Sequence, residues 1–143
     1  MLVFPYAPWL GCGGLIENEM NREIIFRGKR VDGKGWVEGY LWGIPTGVYI
    51  FQRGGELSVH LDSFEVDPAT VGQFTGLTDK NGQKIWEGDI IKTPNNDWGV
   101  MVYKAPFFEV TVSETESSLY SREWFDGAEV IGNIHDNPEL LRQ

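Results

Sequence analysis

A chain of 143 residues, 41% hydrophobic and 13% aromatic, can build one compact domain or two small lobes sharing a core, and is too apolar for wholesale disorder. Its 21 acidic and 12 basic residues give a net charge of −9, a field that repels phosphate backbones, so direct nucleic-acid binding is disfavoured. A single cysteine, Cys12, excludes an internal disulfide and any multi-cysteine zinc centre, and it reads as a passive thiol rather than a nucleophile.

Residues 1–20, MLVFPYAPWLGCGGLIENEM, are apolar but carry no Lys or Arg and are broken by Pro and Gly. They match neither a secretory leader nor a bilayer span. Two readings stay open: an extension ahead of a start at Met20, or an arm whose Phe4, Tyr6, Trp9 and Leu10 pack on something. No other stretch is long and apolar enough to cross a membrane, so the expected location is the cytoplasm.

From Met20 onward the text is short strands punctuated by turns, and the 18 Gly and 7 Pro fit that pattern. EIIFRGK alternates moderately and contains most of RGKR (27–30), the densest basic group. WVEGYLWGI places Trp36, Glu38, Tyr40 and Trp42 on one face and Val37, Gly39 and Leu41 on the other. Neither face is cleanly polar, which predicts a strand covered on both sides. VYIFQ is a fully apolar strand, and LSVHLDSFEV alternates as a half-buried strand does. DPATVGQFTGL reads as an irregular connector between halves 21–67 and 72–143, with Asp67 and Pro68 starting a single helical turn. WGVMVYK, FFEVTVS, LYSREWFD and AEVIGNI are further strands. DNPELLRQ starts a short helix with Asn137 as N-cap, Pro138 at N1 and Glu139 in the first turn. The predicted class is all-β with at most short helical turns, arranged as small barrel-like or meander lobes.

The most informative stretch is GLTDKNGQKIWEGDIIK, residues 76–92. In DKNG, Asp79 can accept from turn N–H groups while Asn81 and Gly82 tolerate left-handed backbone. QKIW is a short strand with Ile85 and Trp86 on opposite faces. EGD makes a second bend, with Gly88 free to take positive φ and Asp89 accepting from nearby N–H groups. Each acid thus has a local backbone task.

Other candidate sites are weaker. Glu65 and Asp67 share a strand face and could approach one cation together with Asp62, yet an acidic strand edge explains them equally. His60 and His135 belong to no ligand motif and read as local hydrogen-bonders. No nucleophile elbow, phosphate loop or zinc-binding helix motif is present, so no catalytic, cofactor or metal residue is assigned. Trp36, Tyr40, Trp42, Tyr49, Phe51 and Trp86 could form a stacking platform, although small β lobes also need such residues as core.

Three segments, REIIFRGKR, TVGQFTGLTDKNGQKIWEGDIIK and EVIGNIHDNPELL, resemble the YopX family of phage and prophage proteins, in order, between Asn21 and Leu141. The resemblance implies a small, mostly β protein with no established activity and no catalytic residues to carry over. The residues matching its motif include Gly76, Asp79, Gly82, Glu87, Gly88 and Asp89. EGDI is also similar to the start of an SH3-like barrel, which extends that expectation to the C-terminal half. The expected function is a non-enzymatic interaction protein in the host bacterial cytoplasm, self-associating or binding a host or phage protein. The alternative is a metal-dependent enzyme acting on nucleic acid or nucleotides, with Asp79, Glu87 and Asp89 around a divalent ion.

Overall fold

The structure is a computed structural model describing residues 23–53, 61–112 and 127–142. The N-terminal segment with Cys12, His60 and the LYSREWFD strand lie outside the described residues.

Among the described residues ten strands form two antiparallel sheets, so the all-β class holds. The first sheet contains β1 (Phe26–Lys29), β2 (Trp36–Ile44), β3 (Gly47–Arg53), β4 (Leu61–Val66), β5 (Gly72–Thr78) and β6 (Lys84–Trp86), in the order β4-β3-β2-β1-β5-β6. The second contains β7 (Asp89–Lys92), β8 (Trp98–Lys104), β9 (Phe107–Val112) and β10 (Glu129–Asn133), in the order β10-β7-β8-β9. β7, β8 and β9 form a meander, and β8 and β9 are joined through a cis Ala105–Pro106 bond.

Strand β2 is shared between two neighbours. Trp36 to Gly39 pair with β1, and Tyr40 to Ile44 pair with β3. Bending at this division lets the sheet curl until β4 returns to the end of β1. Val66 bridges Arg30, the Val31 N–H donates to the Glu65 carbonyl (3.1 Å), and the Asp67 N–H donates to the Lys29 carbonyl (2.8 Å). The curl encloses Val37, Ile50 and Val66, with Phe26, Val48, Phe64 and Val71 packed around them. Gly39 is required where β2 crosses from one partner to the other, because a Cβ there would lie 2.1 Å from the Phe51 carbonyl oxygen.

Two expectations need correction. Gly72–Thr78 is not a connector but strand β5, pairing with β1 and β6 and burying Gly72 and Phe74. Gly72 and Gly76 obscured a strand whose pairing with β1 crosses more than 40 residues of sequence. β2 is not covered on both sides along its length either. Val37 is buried, but residues 40–44 are all exposed. What covers Val37 is Ile50 and Val66 of the same curled sheet.

The helical turns are short. At Pro68–Thr70, Asp67 Oδ1 accepts from the Ala69 N–H (3.0 Å), as its position before proline predicts. At Pro138–Arg142, Asn137 does precede the proline, but its Oδ1 accepts from the Asn133 N–H (3.3 Å). It ties the turn back to β10 instead of capping it forward.

Strand β6 joins two cores. Ile85 packs with Ile91, Met101 and Val110 of the second sheet and with Ala128 just before β10, while Trp86 packs with Ile25 and Phe74. The opposite-facing assignment of these neighbours therefore holds, and each of the two faces finds a core.

Candidate functional site

The three acids singled out for metal chemistry are separately engaged. Asp79 is 6% exposed, and its Oδ1 accepts from the Asn81 N–H (2.8 Å) and the Gln83 N–H (2.9 Å). Its Oδ2 accepts from the Val130 N–H (3.1 Å), so the turn former also fastens the hairpin to β10. Burial works against its charge, but these three N–H groups outweigh it and hold the carboxyl below its ordinary value. Glu87 Oε2 accepts from the Gln73 N–H (3.3 Å). Asp89 is 1% exposed, and its Oδ2 accepts from the Trp86 N–H (2.8 Å). Gly88, at φ +89°, makes the bend between them. Its N–H donates to the Met101 carbonyl (2.7 Å), and its carbonyl accepts from Ile134 (2.9 Å).

The other oxygen of Asp89 meets Arg27 of β1 at 2.5 Å, joining the two sheets. Burial pushes the Asp89 carboxyl up, against the opposing pull of the Arg27 guanidinium and the Trp86 N–H. The guanidinium lies between two indoles, 4.6 Å from the Trp36 ring centre and 5.6 Å from that of Trp86. Beside it, Asp136 accepts from Trp36 Nε1 (2.7 Å) and pairs with Lys29 (2.5 Å). The Lys29 and Trp36 donors lower Asp136 to about 2. His135 stacks at a tilt on Trp36, 5.9 Å between ring centres, and burial followed by the Arg27 charge lowers its pKa.

In the sequence Arg27, Trp36, Asp89 and His135 stand far apart and no motif joins them. The one local hint was an arginine inside an alternating strand. An open groove of about 800 Å³ runs along this cluster past Lys29, Arg30, Gly33, Gly35 and Asp67. Its two cations are already matched, Lys29 by Asp136 and Arg30 by Asp32.

The remaining acids do not converge. Asp62, Glu65 and Asp67 are all exposed, and Asp67 is occupied at its turn. Among the described residues, no group of three His, Cys, Asp or Glu side chains is placed to hold a metal ion.

The six aromatic residues of the anticipated platform divide. Trp86 is core at 3% exposure, and Trp36 is half-buried beside Arg27, His135 and Asp136. The other four form one face. Tyr40 lies directly opposite Phe51 across the β2–β3 pair, and Trp42 opposite Tyr49. Directly opposed residues share a sheet face, and this face is opposite to the one carrying buried Ile50. Trp42 and Phe51 are in ring contact at 5.4 Å. Tyr40 is nevertheless 58% exposed and Trp42 57%. Carboxylates border the rings: Glu38 two residues before Tyr40 on β2, and Glu65 opposite Tyr49 on β4.

Comparison with known proteins places this fold. The family model described as YopX protein matches residues 44–142, and the chain belongs to the YopX family. The matched region contains the DKNG, EGD and closing IGNIHDNPEL segments, while REIIFRGKR lies before it. Among solved structures, the crystal structure of protein EF1440 from Enterococcus faecalis is similar at a TM-score of 0.51 and 24% identity. That match covers 83% of this chain and 98% of the other, and it supports the fold alone. No curated protein matches the chain.

Proposed function

We propose that this YopX-family chain is a non-enzymatic protein-binding module, of phage or prophage origin and acting in the bacterial cytoplasm, whose contact surface is the outer face of β2 and β3. The phage setting rests on the family resemblance. The binding role rests on one observation: Tyr40 and Trp42 stand more than half exposed on regular strand, opposite Phe51 and Tyr49. A contiguous aromatic face left open on a small domain marks an interaction surface, because its exposure is costly unless something covers it. The acids invoked for the enzymatic alternative are meanwhile engaged by backbone N–H groups and Arg27.

The test compares the tagged full chain with Trp42→Ala in affinity capture from host cells, alongside light scattering of both. The reading expects a partner, or a self-associated species, that is present with the parent and depleted with the variant. Identical capture and identical mass for the two proteins would remove the β2–β3 face as the contact surface.

A further inference from the structure

Resting on that reading, we infer that the partner presents a cationic segment, with Arg or Lys side chains seated on the Tyr40–Trp42–Tyr49–Phe51 face and paired with Glu38 and Glu65. The support is charge complementarity together with the way this molecule holds its own cations. Arg27 lies over Trp36 and Trp86 and pairs with Asp89. Lys29 lies 5.8 Å from the Trp36 ring centre and pairs with Asp136. Arg30 lies 4.1 Å over Phe64 and pairs with Asp32. Lys84 lies 5.4 Å from the Phe74 ring centre and approaches Glu23 (3.6 Å) and Glu38 (3.8 Å). Each of these cations is held by a ring face and a carboxylate.

The β2–β3 face offers the same two components. Tyr40 and Trp42 are 58% and 57% exposed, aromatic rings attract cations to their negative π faces, and Glu65 stands opposite Tyr49 on the neighbouring strand. Among the described residues, no cation lies over any of these four rings. Glu38 is 50% exposed and reached only at 3.8 Å by Lys84, which leaves it accessible to an incoming charge. The net charge of −9 attracts a basic segment over a longer range. Charge brings the segment in, and the rings select guanidinium or ammonium over a merely apolar group.

The test uses the full chain and three synthetic peptides of equal length, alternating Gly with Arg, Leu or Glu, with binding read by calorimetry. The inference expects the Arg peptide to bind and the Leu and Glu peptides not to. Trp42→Leu keeps apolar area but removes the indole face, and it should weaken Arg-peptide binding about tenfold, between the scales of an exposed and a desolvated cation–π contact. Glu65→Gln should weaken it severalfold, while Asp97→Asn, an exposed acid elsewhere, should not. Circular dichroism confirms folding of each variant, and Trp42→Ala serves as a second variant if Trp42→Leu is misfolded.

Equal Arg-peptide binding by parent and Trp42→Leu would overturn the inference, because charge alone would then explain the affinity. Preference for the Leu peptide, or a dimer of the parent that Trp42→Leu preserves, would overturn it in favour of an apolar partner or a second copy. If no peptide binds but Trp42→Ala still loses its captured partner, the protein-binding reading stands and the cationic inference falls. If capture is also unchanged, both fall.

Discussion

Arg27 and Asp89, 62 positions apart, meet at 2.5 Å with side chains only 11% and 1% exposed, and their pairing joins the first sheet to the second. Such a pair is retained because removing one partner leaves the other charge buried and uncompensated. Asp89→Ala is therefore expected to lower stability by about 3–5 kcal/mol in urea unfolding. Replacing both residues together, Arg27→Met with Asp89→Leu, should recover most of that loss. A double variant no more stable than Asp89→Ala would show that the Trp86 N–H contact, not the ion pair, dominates.

Asp79 performs two tasks, closing its own turn and holding Val130 of β10. Asp79→Ala should cost about 2–3 kcal/mol, the scale of losing charge-assisted hydrogen bonds to part-buried N–H groups. Asp79→Asn keeps an acceptor for Asn81 and Gln83 but turns an amide donor toward the Val130 N–H. It should fall between parent and Ala, with amide exchange accelerated at Val130 more than at Gln83. Equal acceleration at both sites would contradict this division of labour.

Asp136 has its pKa lowered from 3.8 to about 2 by Lys29 and Trp36. A depressed folded-state value means that the unfolded chain binds the proton more readily. The contribution is complete above about pH 4 and is lost as the pH falls through 2, moderated because Asp136 is 36% exposed and screened by solvent. Asp136→Asn should flatten the melting-temperature profile between pH 4 and pH 2 relative to the parent. Parallel profiles would mean that the Lys29–Asp136 pair adds nothing in solution.

The crossing point of β2 permits a steric test. Gly39→Ala places a Cβ 2.1 Å from the Phe51 carbonyl oxygen and must displace backbone. A loss of about 1–3 kcal/mol or more is expected, as for overpacked interiors. Trp42→Ala, at a side chain 57% exposed, should stay within about 1 kcal/mol of the parent. The reverse order in thermal unfolding would place the β2–β3 pairing in a different register.

Millimolar Mg²⁺ or Mn²⁺ should leave the melting temperature unchanged, because Asp79, Glu87 and Asp89 already accept from protein donors. A rise with metal that disappears in Asp89→Ala would instead restore the divalent-ion alternative.

Much of the local structure was legible from the residues. DKNG and EGD announce their bends because Gly82 and Gly88 take φ of +78° and +89° and neighbouring carboxylates satisfy turn N–H groups within a few positions. WVEGYLWGI and WGVMVYK became strands β2 and β8 with the bounds that the turns around them set. β5 escaped notice because Gly72 and Gly76 are weak strand formers, and its burial comes from pairing with β1 and β6.

Sequence by itself determined the all-β class, most of the turns and the two faces of strands such as β2 and β6, because these follow from backbone sterics and period-two alternation within a few residues. Tertiary structure alone decided what covers each face. Trp36 is met by His135 and Asp136 just past β10 and by Arg27, which pairs with Asp89, while Tyr40 and Trp42, on the same strand as Trp36 and with the same alternation, remain open to solvent. Alternation is local chemistry, whereas coverage depends on where segments distant in sequence come to lie.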